Sequence, residues 1–300
     1  MRQCIEEFLP ILETSVAPKT FQEYSRCLLM YVVPVVGDVA VGDVTLSDFQ
    51  RIINTLTYSP STAKVTYNSV KKLMNYIGSF DTGLAPMLLS NLMLPKLATT
   101  NGKSLSDPDL KKFLELIKGR TYESLYLFLV TTGVRNAEAR GLLQGELDLV
   151  SGEVDINMQV QRVKGKLERV PLKTPESRRR LSIPMIALES LQHHYEQCVA
   201  IRRNKSGYFV WANRYNLPIT QQSLHADFAS VVLQLDDDYR LHDLRHTAAS
   251  TMVRNKVPMK VVSKVLGHSS VSVTERIYSH LQRDDYEMAA SALNNAFNRL

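Results

Sequence analysis

The segment His242-Asp243-Leu244-Arg245-His246 brings two imidazoles, a carboxylate and a guanidinium together within five residues. Its spacing approaches the His-Glu-x-x-His of zinc proteases, in which both imidazoles share one helix face. Here, however, a guanidinium between the two ligands would set a permanent positive charge against a dication. Asp243 is also shorter than the glutamate that chemistry uses, and no third ligand stands nearby. A guanidinium suits an anion better, and His242 and Arg245, three residues apart, fall on one helix face with His246 beside them. By itself the stretch leaves open a phosphate seat and a His and an Arg packed under an apolar helix, and no metal or cofactor is expected.

Two other stretches carry groups of the same kind. In "TTGVRNAEARGLL", Gly133 is placed to stop one helix and Arg135 to stand near the start of the next, where free backbone N–H groups and a guanidinium seat an anion. In "KVLGHSSVSVTERIYSH", Gly267 is placed to end a helix and deliver His268 from the turn. Ser272 and Glu275 then form a capping box opening a short helix that carries Tyr278. Together the three stretches supply what a phosphodiester transfer needs: cations for the phosphate oxygens, imidazoles for protons and a phenol as nucleophile. With a phenol pKa near 10, the phenolate costs about 4 kcal/mol at pH 7, so something must stabilise that charge or take the proton during attack.

The elements that would position these groups are mostly helical. Ile5, Phe8, Leu9 and Leu12 recur at the spacing of one helix face. Thr20 with Glu23 reads as a capping box for a helix ending at Pro34 and Gly37, and Ser47 with Gln50 as another before "DFQRIINTL". Val70, Leu73, Met74 and Ile77 line a further helix, so about four helices fit before residue 95. The segment "LPKLATTNGKSLSDPDL" loses periodicity and reads as a crossing between domains. Beyond it Ser106 caps a helix with Leu110, Phe113, Leu114 and Ile117 on one face, and "YESLYLFLVTTG" predicts a buried helix. Between Glu153 and Pro184, "EVDINMQVQRV", "LERVPL" and "RRRLSIP" alternate as a small antiparallel sheet with turns at "KGK" and "KTPES". Helices follow, interrupted by a short "YFVW" strand. The fold class expected is mainly α with a small antiparallel β-sheet.

The composition is that of a globular chain of 300 residues, 44% hydrophobic and 22% charged, long enough for two cores and unlike disordered or fibrous sequences. Its 36 Lys+Arg against 30 Asp+Glu give a formal charge of +6, which favours a polyanionic partner. The charge gathers in "RVKGKLERVPLKTPESRRR", where Arg178, Arg179 and Arg180 close a run opposed only by Glu168 and Glu176. Cys4, Cys27 and Cys198 are scattered, which argues for a reducing compartment. "MRQCIEEFLP" is no signal peptide and "LLMYVVPVV" is too short to span a bilayer, so a cytoplasmic, nucleoid-associated location without membrane contact is expected.

Taken in order, Thr132, Gly133, Arg135 and Glu138, then His242, Arg245 and His246, then Leu266, Gly267 and His268, then Tyr278 and His280 resemble the motif set of the tyrosine recombinase, or phage integrase, family. "KTFQEYSRCLLMYVVPVVGDVAVGDVT" is similar to that family's core-DNA-binding domain, so the likeness covers nearly the whole chain. "PLKTPESRRRLSIP" resembles its Lys-Thr-x-x-Ser-x-Arg hairpin, pointing to Lys173 as the family's lysine, with Lys166 in the "KGK" turn as the alternative. The resemblance implies a helical core-DNA-binding domain over residues 1–95, a linker at 96–104 and an α+β catalytic domain with a helical tail over 105–300.

By the same resemblance, Tyr278 attacks the scissile phosphate, leaving a 3′-phosphotyrosyl link and a free 5′-hydroxyl. Arg135 and Arg245 hold the phosphate oxygens, Lys173 protonates the leaving oxygen, His242 is an acid/base partner and His268 donates to a phosphate oxygen. Glu138 and His280 support these groups from behind, and Arg178, Arg179 and Arg180 track the DNA backbone. The partners implied are double-stranded recombination sites and three further copies in a tetramer on synapsed DNA, weakly associated without DNA. A directionality or DNA-bending factor is a further implied partner. In such a tetramer the tail "DDYEMAASALNNAFNRL" docks on a neighbouring protomer, while a fold back in cis is the alternative. Relatives with this hairpin often carry an arm-binding domain ahead of the core-binding pattern, which here starts almost at Met1. A type IB topoisomerase, a catalytically silent DNA-binding protein and a zinc hydrolase are the competing readings.

Overall fold

The computed structural model describes residues 1–80, 89, 91–96, 102–163, 165–202 and 207–278. The chain divides into two compact units, Met1–Thr100 and Asn101–Leu300.

In the first unit the apolar periodicity becomes packing. Helix α1 (Arg2–Ser15) buries Ile5, Phe8 and Leu12 on one face. Helix α2 (Pro18–Cys27) starts at Pro18, whose fixed φ and missing N–H suit a first helical turn. Thr20 therefore lies inside the helix and is not its cap. The rod does not stop at Pro34. It passes through a π-turn (Leu28–Val32) into α3 (Val33–Val36), where Pro34 again sits in a first turn, and ends at Gly37. Helix α4 (Leu46–Asn54) is opened by Thr45, not Ser47: Asp48 N–H donates to Thr45 Oγ1 at 3.3 Å and Thr45 N–H to Asp48 Oδ2 at 3.0 Å. Gln50 instead pairs with the Met93 backbone. Helix α5 (Pro60–Gly78) buries Val70, Leu73, Met74 and Ile77 against Ile5, Phe8, Leu12, Phe49 and Ile52.

The second unit opens with α6 (Asp107–Leu116), capped by Ser106, whose Oγ accepts from Asp109 N–H at 3.2 Å. Helix α7 (Glu123–Thr132) is buried nearly all round, as its unbroken apolar run requires. It forms the centre of a core with Phe113, Ile117, Leu142, Val154, Leu191, Trp211 and Phe228. After the short α8 (Asn136–Arg140) come two separate antiparallel sheets. Strands β1 (Leu147–Asp148), β2 (Glu153–Ile156) and β5 (Arg179–Ser182) form one, with Val154 opposite Leu181. Strands β3 (Met158–Val163) and β4 (Lys166–Pro171) form a hairpin, with Val163 opposite Lys166. The alternating "EVDINMQVQRV" is thus two strands in two sheets, broken at Asn157.

The "YFVW" segment is irregular. Phe209 makes an isolated bridge to Leu143, and Val210 N–H donates to the Leu142 carbonyl. Helices α9 (Met185–Arg202), α10 (Gln221–Val232), α11 (Asp243–Arg254), α12 (Met259–Leu266) and α13 (Val271–Tyr278) complete the unit. Helix α13 is opened by Ser270, which accepts Ser272 N–H on its Oγ and Val273 N–H on its carbonyl, so Ser272 is not the cap. Ala249, Val253, Val262, Leu266 and Tyr278 form an apolar cluster of their own, separate from the main core. Among the described residues no helix is long and apolar enough to cross a membrane.

Candidate active site

Two left-handed glycines place the cationic groups. Gly133 (φ 68°) stops α7, and a Cβ there would lie 2.8 Å from Leu266 Cδ2, so conformation and close approach both demand glycine. The chain emerges with Arg135 immediately ahead of α8. Its guanidinium donates from Nη1 to Glu138 Oε1 at 2.8 Å and from Nη2 to the Gly267 carbonyl at 3.2 Å. Gly267 (φ 67°) ends α12, and a Cβ there would stand 2.8 Å from Arg179 Nη1. Arg135 thereby joins the end of α12 to the start of α8.

Glu138 and Arg179 lie behind that junction. The Glu138 carboxylate, 1% exposed, accepts from Arg135 and, at 2.8 Å, from Arg179 Nη2. Burial alone would raise its pKa, but Arg179 and then Arg135 outweigh it and hold the carboxyl below its ordinary range. Arg179 also donates to the Val265 carbonyl at 2.6 Å and the Ser177 carbonyl at 2.9 Å. Its side chain is 6% exposed and all of these bonds are internal, so Arg179 does not belong among the DNA-backbone contacts expected from the sequence. The side chain turns back onto Glu138 and the Val265 carbonyl, 41 and 86 positions away, which explains the difference.

Replacing Glu138 by Gln leaves two guanidiniums facing each other without a counter-charge, and a loss of about 3 kcal/mol in unfolding free energy is expected. Because the folded-state pKa of Glu138 is depressed, its contribution is present above the unfolded carboxyl pKa and is lost as pH falls below it. The gap between wild type and variant in thermal denaturation should therefore narrow with acidification below about pH 4.3.

Arg245 projects from the first turn of α11 and is 4% exposed. Its Nη1 donates to the Gly133 carbonyl at 2.8 Å, while Nη2 is buried with no hydrogen-bond partner among the described residues. Burial, then Arg135, press its pKa down to about 9, and it remains a cation at neutral pH. No described carboxylate pairs with it. A buried, half-satisfied guanidinium beside a second one is an arrangement suited to an anion.

Tyr278 and three imidazoles surround that cation. The Tyr278 ring is buried in the α11–α12–α13 cluster, and burial raises its hydroxyl to about 12 against the pull of Arg245. The hydroxyl lies 2.6 Å from His246 Nδ1. His242 precedes α11 with one edge open to solvent. Partial burial, then His246 and Arg245, bring its pKa to about 4. His268, in the turn after Gly267, is likewise held at about 4 by burial, Arg245 and Arg135. Its Nδ1 is 2.8 Å from Thr274 Oγ1. When the threonine donates there, the ring proton sits on Nε2, the atom left for a phosphate oxygen.

Lys173 is exposed in the loop after β4, and that loop is fixed to the same junction by Ser177 Oγ, 3.4 Å from the Gly267 carbonyl. Lys166 stands instead at the tip of the β3–β4 hairpin. Arg178 is exposed, and Arg180 is exposed but paired with Asp155 at 2.8 Å. His280 and the tail lie outside the described residues. The sequence reading missed two contacts, the binding of Arg179 to Glu138 and of His246 to Tyr278. The only sequence signal was the presence of an arginine inside a strand pattern and a histidine next to Arg245.

The sequence profile of the phage integrase family matches residues 103–284, more than half of the chain, and the chain belongs to this family of tyrosine-type site-specific recombinases, enzymes that cut and rejoin DNA strands. It is similar to a XerC-like tyrosine recombinase of Caldanaerobacter subterraneus subsp. tengcongensis, 26% identical over 318 aligned residues that span 96% of this chain and 80% of the relative. Its fold resembles the Tn1549 transposon integrase in complex with a circular intermediate DNA, with a TM-score of 0.80, 18% identity, and 97% of this chain and 98% of that one covered. It also resembles a lambda integrase tetramer bound to a Holliday junction, with a TM-score of 0.69, 14% identity, and coverage of 94% and 78%.

Proposed function

We propose that this recombinase serves the integration and excision of a phage or other mobile element, and that it works through a 3′-phosphotyrosyl intermediate on Tyr278. The observation that carries the reading is the buried Arg245 Nη2 with no partner among the described residues, next to Arg135 and within electrostatic reach of Tyr278. A scissile phosphate supplies the missing acceptor. Arg135 and Arg245 hold its non-bridging oxygens as charge gathers in the pentavalent transition state, and His268 donates to a third position. The Tyr278 oxygen forms a bond to phosphorus, the bond to the 5′-oxygen breaks, and Lys173 protonates that oxygen. His242 serves as an acid/base partner. One phosphodiester is exchanged for another, so rejoining requires no nucleotide cofactor.

In this reading the unit Met1–Thr100 is the core-DNA-binding domain and Asn101–Leu300 the catalytic domain. Arg178 and Arg180 contact the DNA backbone, which gives affinity and salt sensitivity rather than sequence choice. The working form is a tetramer on two sites, an arrangement that the lambda integrase complex has in its own case, and a directionality factor selects the outcome. The test is incubation with a nicked duplex spanning the junction of the encoding element. A covalent adduct that maps by peptide sequencing to Tyr278 is expected, and absence of any adduct would refute the reading.

A further inference from the structure

The Tyr278 hydroxyl has one described hydrogen-bond partner, and it is neither a lysine nor His242. His246 Nδ1 stands 2.6 Å from it, with the two rings 6.0 Å apart and inclined at 49°. The imidazole has little freedom to leave. The His242 ring meets it edge-on at 5.1 Å and 85°. On another side the Gly102 backbone passes so close that a Cβ there would lie 2.0 Å from His246 Nε2. The charged and titratable groups around it are Asp243, Arg245 and His242 on or at the start of its own helix, Arg240 just before, Tyr278 from α13 and His268 beyond Gly267. Lys103, beside Gly102, is paired with Asp237.

Resting on the phosphotyrosyl reading above, we propose that His246 is the base that takes the Tyr278 proton as the phenol attacks DNA. The Oη–H bond breaks toward Nδ1, the oxygen pair forms the bond to phosphorus, the bond from phosphorus to the 5′-oxygen breaks, and Lys173 protonates the leaving oxygen. On rejoining, the imidazolium returns the proton to the departing phenol. The resting ring is suited to this. Burial lowers its pKa, Asp243 opposes that, and Arg245 and Arg240 lower it further, so it enters the reaction neutral with Nδ1 free to accept. His242, edge-on to this ring, is itself exposed to solvent.

The experiment measures single-turnover adduct formation on the nicked junction duplex against pH. Wild type should lose activity only at pH values below the ordinary imidazole range. His246→Asn places an amide oxygen about where Nδ1 lies, so it can accept the hydrogen bond but not the proton. It should bind the duplex with unchanged affinity, react on the order of 10²- to 10³-fold more slowly at pH 7, and speed up with rising pH without a plateau. Added imidazole should partly restore His246→Ala. His246→Asn reacting at the wild-type rate with the wild-type profile would overturn the proposal, leaving His246 as a positioning residue.

If neither variant folds, the question passes to wild type carrying 3,5-difluorotyrosine at 278. An acid limb that stays in place supports the imidazole as its source, and one that moves with the phenol's acidity overturns it. Wild type that forms no adduct would instead count against Tyr278 as the nucleophile.

Discussion

Tyr278→Phe should bind the junction duplex as wild type does and form no covalent adduct at all. The substitution keeps the ring that packs with Ala249, Val253, Val262 and Leu266 and removes only the oxygen. The hydrogen bond to His246 is lost with it, a change of about 1 kcal/mol in stability, small enough to leave the fold intact. Thr274, a hydroxyl on the same helix, is already engaged with His268. Denaturing gels with end-labelled DNA and a binding titration provide the two readings. An adduct persisting in the variant would show that the nucleophile lies elsewhere.

Arg245→Met should separate stability from activity. The thioether chain fills nearly the same volume, and its introduction relieves a buried cation that, among the described residues, has one hydrogen bond and no carboxylate partner. The Gly133 carbonyl loses its donor, costing about 1 kcal/mol, but the desolvation penalty of the charge disappears as well. The midpoint of thermal unfolding should therefore not fall below that of wild type. Strand cleavage, in contrast, loses one of the two guanidiniums proposed to hold the phosphate and should slow by on the order of 10³-fold or more. Arg245→Lys retains the charge without the planar fork and should recover only a small part of this. A destabilised Met variant would mean that the guanidinium serves the fold rather than the phosphate.

How much of this was legible in the sequence depended on how local the cause was. Gly133 and Gly267 were readable as helix stops because a left-handed terminus is fixed within one turn, and Arg135 and His268 could be placed from those stops, while Arg245 followed from its three-residue spacing to His242. The capping boxes were misplaced by two or three residues at Thr20, Ser47 and Ser272. Several hydroxyl residues there have a suitable partner three positions on, and packing of the apolar face decides which one opens the helix. Arg179 could not be read correctly at all. Flanked by Arg178 and Arg180 it looks like part of a solvated edge, yet its partners Glu138 and Val265 are 41 and 86 positions away. The contact between His246 and Tyr278 spans 32 positions for the same reason.

The small cluster that holds Tyr278 has a consequence for local stability. The Tyr278 ring is buried in a cluster with Ala249, Val253, Val262 and Leu266, edged by Met252, Val257, Met259 and Ile277, that is separate from the main core around α7. At about 1.5–3 kcal/mol for each fully buried side chain, releasing α13 costs a fraction of what dismantling the domain would. The helix that carries Tyr278 can therefore detach while the core around α7 stays assembled, so local release of α13 is a separate event from unfolding of the domain.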